Sequence, residues 1–209
     1  MTHPPDESRR RFLRAIAVAP IVLAAPGAAG LMARARAEDA PLLRPTPACG
    51  DDDDDDPTPA QTEGPFFKPR SPKRTSLMEA GIKGTQLVIA GTVLTRSCRP
   101  VPNALLDFWQ ADNEGVYDNS GFKLRGHQFT DERGVFRLET ILPALYQGRT
   151  RHIHVKVQAP DDRILTTQLY FAGEAQNARD SLFDPELVIA VEAGSSGKEG
   201  RYHFVLDRP

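Results

Sequence analysis

The stretch LYQGRTRHIHVKV, residues 145–157, ends in a run in which polar and apolar side chains alternate. In a β-strand, residues two positions apart project from the same face, about 6.6 Å apart along the chain. His152 and His154 therefore project together, whereas Ile153 and Val155 face the other way, toward a core. The stretch predicts a strand with a buried face and a face that carries two imidazoles.

The rest of the chain from residue 85 onward has the same character, with short β-branched or alternating runs separated by turn residues such as those at 119–121. No segment has the period of a long amphipathic helix. This pattern predicts an all-β fold, a β-sandwich with long loops, and not a βαβ fold. The predicted strands are 86–94, 104–110, 135–141, 152–159, 164–171, 187–191 and 202–206.

The amino-terminal residues 1–37 have the pattern of an export signal peptide. SRRRFLR, residues 8–14, precedes an Ala-rich apolar run interrupted by Pro and Gly, and a small-residue cleavage site follows at 35–37. This pattern favours a removable signal over a membrane anchor, which stays open as the alternative. The serine and paired arginines resemble a twin-arginine signal, so we expect the twin-arginine translocation machinery to export the chain to the periplasm or beyond.

Residues 38–61 are predicted to be a disordered linker, because they are rich in Pro and contain six consecutive aspartates at 51–56. The folded domain is then expected over residues 62–209. Cys49 and Cys98 are the two cysteines of the chain. Export implies an oxidising compartment, where they could form a disulfide, although two unpaired thiols remain an equal alternative.

The charge of the chain excludes one large class of partner. The formal net charge is −2, and residues 38–209 alone carry 26 acidic against 20 basic side chains. A body this acidic lacks the basic footprint that nucleic acid or an anionic membrane surface requires. We therefore expect a small-molecule ligand.

The residues near the histidine pair indicate which chemistry it serves. Two imidazoles on one strand face can converge on one metal at about 2.1 Å each. Tyr146 lies six residues before His152, across a predicted tight turn at Gly148, and Tyr117 lies in the turn-rich segment GVYDNSG. Phenolates are hard anionic donors that suit Fe(III), and a trivalent cation lowers the pKa of a coordinated tyrosine. From these residues alone, exposed surface histidines and tyrosines packed in the core remain open alternatives.

Five segments, taken in order, resemble the intradiol ring-cleavage dioxygenases, a family that includes protocatechuate 3,4-dioxygenases and catechol 1,2-dioxygenases. The resemblance covers roughly residues 62–206, and the residues before it do not show the pattern of the long helical amino-terminal region of the catechol enzymes. The segments are TEGPFF (62–67), PVPNALLDFWQADNEGVYDN (100–119), RGHQFTDERGVF (125–136), residues 146–154 and TTQLYF (166–171).

The resemblance implies a non-haem Fe(III) centre that cleaves a catechol-type diol with O2 to a muconate-type diacid. It implies four metal ligands, Tyr117, Tyr146, His152 and His154. Tyr117 would stay bound, whereas Tyr146 would leave the iron when substrate chelates it and take up a substrate proton. Tyr170 and Tyr202 are the reserve candidates for the second phenolate.

Two further residues gain a role from the resemblance. Arg149 corresponds to an arginine that stabilises negative charge on the substrate, with Arg151 as its competitor, and Gln168 corresponds to a pocket glutamine that orients substrate or oxygen. The sequence does not name the ring substrate. A homo-oligomer is possible, because small β-sandwich domains commonly pair through exposed faces.

Two other function classes remain open. One is a divalent-metal HxH enzyme of the cupin type, which needs an acidic residue four or five positions after the second histidine, where this chain has Gln158 and Ala159. The other is an exported transthyretin-like β-sandwich that binds a ligand without catalysis and leaves His152 and His154 exposed.

Overall fold

The computed structural model describes residues 56–209, and this part of the chain consists of nine β-strands and two short 3-10 helices. The all-β class is therefore confirmed. The helices are Ala175–Arg179 and Pro185–Leu187. The strands are β1 (Gln86–Thr95), β2 (Leu105–Gln110), β3 (Arg125–Phe129), β4 (Val135–Ile141), β5 (His152–Gln158), β6 (Ile164–Phe171), β7 (Val188–Ala193), β8 (Lys198–Arg201) and β9 (Phe204–Leu206).

The strands form two layers that are joined through β7. One layer has the order β3-β2-β5-β6, the other has the order β8-β1-β4 with β9 alongside β1, and β7 pairs with both β6 and β8. Fully buried side chains of both layers meet in one core, among them Leu106 and Val155 from the first layer and Ile89 and Leu138 from the second. Two sheets around a shared apolar core form the predicted β-sandwich.

The register of the first layer decides which residues share its outer face. His154 lies opposite Trp109 of β2 and opposite Gln168 of β6, and His152 lies opposite Tyr170. Directly opposed residues in antiparallel strands project to the same side. The face of this layer that is turned away from the core therefore presents both histidines, flanked by an indole, an amide and a phenol.

Two strands of the structure are not among those predicted from the sequence. β3 (RGHQF) and β8 (KEGR) are mostly polar, and each contains a glycine, so neither shows the alternation that predicts a strand. Each forms because its neighbours supply hydrogen-bonding edges: β3 pairs with β2, and β8 lies between β7 and β1. The last predicted strand is shorter than expected, because β9 begins at Phe204.

The folded part also begins before residue 62. The Thr58 amide donates to the carbonyl of Val205 over 2.9 Å, and the Gln61 amide donates to the carbonyl of Thr166 over 2.8 Å. Residues 58–61, which the sequence assigns to the linker, thus pair with the folded domain. The sequence did not indicate this, because the pairing uses mainly backbone groups; the Thr58 hydroxyl also accepts a hydrogen bond from the Val205 amide over 2.8 Å.

The predicted signal peptide and the linker up to residue 55 lie outside the described residues. The same is true of Cys49, so its predicted disulfide with Cys98 stays a prediction; Cys98 is not a free thiol. None of the helices within residues 56–209 is long and apolar enough to cross a membrane.

Candidate metal centre and active site

The histidine pair occupies the start of β5 and is buried. His152 is 4% and His154 is 3% exposed, and their ring centroids are 4.8 Å apart. Because both side chains are inaccessible to solvent, the alternative of two exposed surface histidines is wrong. The pair lies beneath a cluster of aromatic side chains on the outer face of the sheet, separate from the main core. This cluster includes Trp109, Tyr117 and Tyr146.

His152 is oriented by hydrogen bonds at both ring nitrogens. Its Nδ1 lies 2.6 Å from the carbonyl oxygen of Thr150, which can only accept, so Nδ1 carries the proton and Nε2 keeps its lone pair. The Tyr117 hydroxyl lies 3.1 Å from Nε2. Two donor atoms about 2.1 Å from one metal and at right angles to each other are about 3 Å apart. The Tyr117–His152 spacing therefore fits two adjacent ligands of one ion.

Burial keeps both imidazoles neutral. Burial lowers the pKa of His152 to about 4, with the positive charge of Arg149 acting in the same direction. Burial also lowers the pKa of His154 well below its ordinary value, and so do His152 and Arg149. A neutral imidazole has a free lone pair, so both side chains are prepared to bind a metal near neutral pH without first losing a proton.

Tyr117 lies in a loop whose backbone amides donate hydrogen bonds to two carboxylates of the same loop. Asp112 accepts hydrogen bonds from the amides of Glu114 and Val116, and Asp118, directly after Tyr117, accepts from the amides of residues 120, 121 and 123. Phe66 stacks on the Tyr117 ring with centroids 4.4 Å apart. The phenol is thus buried and firmly placed.

The charge state of this phenol depends on a nearby cation. Burial raises the pKa of Tyr117 above its ordinary value, although the positive charges of Arg149 and Arg125 oppose this. The phenol therefore stays protonated in the protein alone, and only a strongly charged ion beside it would favour the phenolate.

Tyr146 lies next to Tyr117 at the site and directly precedes a two-residue turn. Gln147 and Gly148 have positive φ values of 40° and 84°, and the Arg149 amide donates to the Tyr146 carbonyl over 2.6 Å. This is the tight turn predicted at Gly148. The Tyr146 ring is half-buried, and its centroid lies 5.3 Å from that of Tyr117. The two phenols therefore flank one site but differ in how firmly they are enclosed.

A glycine brings the two tyrosine-bearing segments together. Gly115 has a positive φ of 80°, and a Cβ at this position would lie 2.3 Å from the carbonyl oxygen of Leu145. The Ala144 amide also donates to the carbonyl of Asp112 over 2.9 Å. The close approach of these backbones places the segment before Tyr117 against the segment before Tyr146.

Arg149 lies beside the candidate metal centre, and Arg151 does not. Arg149 donates from Nη2 to Oε1 of Gln168 over 2.7 Å, and Gln168 in turn donates from Nε2 to the carbonyl of Thr62 over 2.9 Å. Arg151 instead pairs with Glu174 over 2.8 Å. The structure thus brings together Arg149 and Gln168, two residues of the predicted site. The Gln168 amide oxygen accepts from Arg149, and its nitrogen donates to the Thr62 carbonyl.

The reserve tyrosines are engaged elsewhere. The Tyr170 ring centroid lies 6.3 Å from that of His152, but its hydroxyl donates to the carbonyl of Leu182 over 2.7 Å. The hydroxyl of Tyr202 donates to the carbonyl of Glu186 over 3.2 Å. Tyr117 and Tyr146 are therefore the better placed pair for a metal.

Two residues at the site have positions that sequence reasoning did not foresee. Trp109 is buried and stacks on the His154 imidazole, with centroids 4.8 Å apart and ring planes 5° from parallel. Asp180 pairs with Arg149 and comes from a segment without a motif. The strand register could have indicated Trp109; no local signal indicated Asp180.

The donor set fits a ferric ion better than a divalent one. Within residues 56–209, no three His, Cys, Asp or Glu side chains gather to form a metal site. The groups available beside the two imidazoles are phenols, which as phenolates are hard oxygen donors with a preference for Fe(III). This composition disfavours the cupin-type alternative, whose third ligand is a carboxylate.

Known proteins resemble the chain over the whole folded part. A family model described as Dioxygenase matches residues 62–208. The catechol 1,2-dioxygenase of Acinetobacter baylyi is 30% identical over 65% of this chain and 53% of its own length. The hydroxyquinol 1,2-dioxygenase of Nocardioides simplex is 30% identical over 61% of this chain and 52% of its own length. The chain thus spans about half the length of these two enzymes.

Solved structures extend this comparison. The dioxygenase domain of a dioxygenase–carbohydrate-binding protein fusion from Streptomyces sp. SirexAA-E is 56% identical, with a TM-score of 0.72 over 74% of this chain and all of that domain. The 3-chlorocatechol 1,2-dioxygenase of Rhodococcus opacus 1CP is 29% identical, with a TM-score of 0.68 over 73% of each chain. Because the family model matches most of the chain and the named relatives are 1,2-dioxygenases of catechol-type diols, the chain belongs to the intradiol ring-cleavage dioxygenase family.

Proposed function

We propose that the chain is an Fe(III)-dependent dioxygenase that cleaves a catechol-type aromatic diol between its two hydroxyl-bearing carbons. O2 is the co-substrate, and the product is a muconate-type diacid. The observation that carries this proposal is the 3.1 Å approach of the Tyr117 hydroxyl to Nε2 of His152, inside a cluster that also contains Tyr146 and His154. The names of the matched relatives, which act on catechol, hydroxyquinol and chlorocatechol, support the substrate class.

Tyr117, Tyr146, His152 and His154 are the residues that would hold the iron. Two phenolates would offset two of the three positive charges of Fe(III), and two neutral imidazoles would complete the protein ligands. When bound, ferric iron draws electron density from a chelated diol and so makes the ring reactive toward O2.

The two phenols are suited to different roles by their surroundings. Tyr117 is buried under Phe66 in a loop with many internal hydrogen bonds, so its displacement would disrupt many contacts. Tyr146 is half-buried on a two-residue turn. Tyr146 would therefore be the phenolate that gives way when a diol binds, and its phenolate oxygen would take up a proton from the diol.

Arg149 supplies a fixed positive charge beside the diol. Its Nε and Nη2 groups are occupied by Asp180 and Gln168, whereas its Nη1 group makes no hydrogen bond within residues 56–209. That group is available to negative charge that develops on the substrate, where a preorganised donor acts strongly. Gln168 holds the guanidinium in place and ties it to the carbonyl of Thr62.

The proposal is tested with the full chain loaded with Fe(III). Anaerobic titration with catechol, protocatechuate and hydroxyquinol should shift a red-brown tyrosinate band as each diol chelates. Admission of 18O2 should then give a diacid that carries two labelled oxygens, as read by mass spectrometry. A colourless protein that neither shifts nor turns over would support the binding-module or divalent-metal alternatives and overturn the proposal.

Export remains part of the proposal. The SRRRFLR segment supports secretion by the twin-arginine machinery, and a reporter fused to residues 1–37 tests it. Replacement of Arg9 and Arg10 by lysine should leave the reporter in the cytoplasm. Assembly into a homo-oligomer is a separate proposal that sedimentation of the purified chain decides.

A further inference from the structure

Asp180 is a buried carboxylate that none of the steps above requires. Its side chain is 1% exposed, and it follows directly after the 3-10 helix Ala175–Arg179. Its own amide donates to the carbonyl of Gln176 over 3.1 Å, and its carbonyl accepts from the amide of Phe183 over 3.1 Å. The carboxylate is therefore held at a defined point by its own backbone.

The Asp180 carboxylate accepts four hydrogen bonds. Nε of Arg149 lies 3.0 Å from Oδ1 and 2.8 Å from Oδ2, the Leu182 amide donates to Oδ1 over 3.0 Å, and the Thr150 amide donates to Oδ2 over 2.8 Å. Removal of one partner from a buried, hydrogen-bonded ion pair of this kind is strongly unfavourable, because it leaves the other charge without compensation. Two of the donors belong to residues next to the metal centre.

The first link leads to the substrate-facing arginine. Since Asp180 takes Nε and Gln168 takes Nη2, two of the three guanidinium nitrogens have fixed partners. A planar guanidinium that is held at two nitrogens has its third nitrogen placed as well. Asp180 thereby decides where the free Nη1 of Arg149 lies.

The second link leads to a proposed metal ligand through the backbone of one residue, Thr150. The Thr150 amide donates to Asp180, and the Thr150 carbonyl accepts the proton of His152 Nδ1 over 2.6 Å. The partner of a ligating histidine orients its ring and tunes its basicity. Thr150 is held by Asp180 at its amide and by Asn177 at its hydroxyl, so Asp180 is one of two side chains that fix the position of this carbonyl.

We propose that Asp180 is a positioning residue that orients both Arg149 and, through the backbone of Thr150, the imidazole of His152. This inference rests on the proposed iron centre. The Asp180 carboxylate, which lies in a loop outside both layers, would then connect Arg149, which faces the substrate charge, with His152, a proposed metal ligand.

The neighbouring pair Arg151–Glu174 provides a matched control. It has the same 2.8 Å Nε–carboxylate distance, but both side chains are about a quarter exposed, and Glu174 makes no hydrogen bond to the site residues within the described part. Glu174→Gln removes a comparable ion pair, which involves Arg151 in place of Arg149. It should leave iron binding and turnover at the wild-type level.

The test compares Asp180→Asn and Asp180→Ala with Glu174→Gln and wild type in the full chain. The readouts are Fe(III) retention against a competing chelator, the tyrosinate band, and kcat and KM for catechol. Loss of a partner of this kind typically costs about 10- to 100-fold in metal affinity or activity. We expect losses of that size in both properties for Asp180→Asn, together with a shifted band.

A double variant separates the two links. Arg149→Ala alone should lower turnover and leave iron retention intact, so Asp180→Asn in that background should lower iron retention without a comparable further loss of turnover. Unchanged iron retention, band, kcat and KM in Asp180→Asn would overturn the inference while the proposed function stands. If wild type fails to cleave catechol, the proposed function fails, and unchanged iron retention and band would still refute Asp180 as a positioning residue.

Discussion

The hydroxyl of Tyr117 lies 3.1 Å from Nε2 of His152, while Nδ1 of the same imidazole donates to the Thr150 carbonyl. This contact joins a loop residue to a strand residue 35 positions away. Both groups are buried, so the contact is set before any metal arrives. Substitutions at and around this contact should therefore have specific effects on iron binding, the visible spectrum and turnover.

Removal of either phenolate should change the visible spectrum of the iron-loaded protein. Tyr117→Phe should lose most of the band and bind iron more weakly, because it removes the buried ligand. Tyr146→Phe should retain iron with a shifted band. Tyr202→Phe is the matched control, since its hydroxyl bonds to the Glu186 carbonyl and should leave the spectrum unchanged. An unaltered band in both Tyr117→Phe and Tyr146→Phe would remove the tyrosinate assignment.

Arg149→Ala should separate catalysis from metal binding. The guanidinium contacts Asp180 and Gln168 but none of the four proposed ligands, so iron and colour should remain while turnover falls by about 100-fold or more, the typical effect of removing one preorganised donor. Steady-state kinetics and iron analysis measure the two effects. Arg151→Ala, which breaks a neighbouring ion pair, should retain turnover. Loss of iron from Arg149→Ala would instead make this arginine structural.

Gly115→Ala should disturb the metal centre from a distance. A Cβ there would meet the Leu145 carbonyl at 2.3 Å, and the positive φ adds strain of about 1 kcal/mol or more. The segments that carry Tyr117 and Tyr146 must then separate, so iron affinity should fall. Gly173→Ala has a similar positive φ with nothing within 4 Å, so it should lose only stability. Equal iron affinity in the two variants would contradict the role of Gly115.

The only tryptophan of the chain should report metal binding directly. Trp109 stacks on His154 at 4.8 Å, so a ferric ion on that imidazole should quench its fluorescence strongly. Titration of the metal-free protein with Fe(III) measures the effect. His154→Gln, which removes the ligand and keeps the indole, should abolish most of the high-affinity quenching. Full quenching in that variant would show that the ion binds elsewhere.

The metal-free protein should lose stability as the pH falls below neutrality. Burial lowers the pKa of His152 from 6.5 to about 4 and the pKa of His154 well below 6.5, so the unfolded chain binds more protons between these limits. Stability is therefore full above pH 6.5 and declines toward pH 4, with His152 alone accounting for about 2 kcal/mol between pH 7 and pH 5. Urea unfolding at both pH values measures the change. In the His152→Gln/His154→Gln double variant the decline should be smaller by at least that amount.

The outcome for particular elements shows what local sequence can indicate. β5 was predicted because its apolar residues alternate, and β6 because it is a run rich in β-branched residues. The turn at Gly148 was predicted because glycine tolerates positive φ. β3 and β8 were missed, because strands with a polar surface and a glycine depend on pairing with neighbours. Residues 58–61 were assigned to the linker for a related reason, since the hydrogen bonds that join them to the domain are made largely by backbone groups, with the Thr58 hydroxyl in addition.

The sequence by itself determined that this is an all-β chain in which His152 and His154 share one strand face, because alternation is a property of the strand alone. It also supplied the family motifs that nominate Tyr117 and Tyr146. Only the tertiary structure decided that the Tyr117 phenol contacts His152 with Tyr146 beside it, that Arg149 bonds to Gln168 while Arg151 pairs with Glu174, and that Trp109 stacks on His154. These contacts join residues far apart in the chain, and sheet register and loop packing, which no local pattern encodes, bring them together.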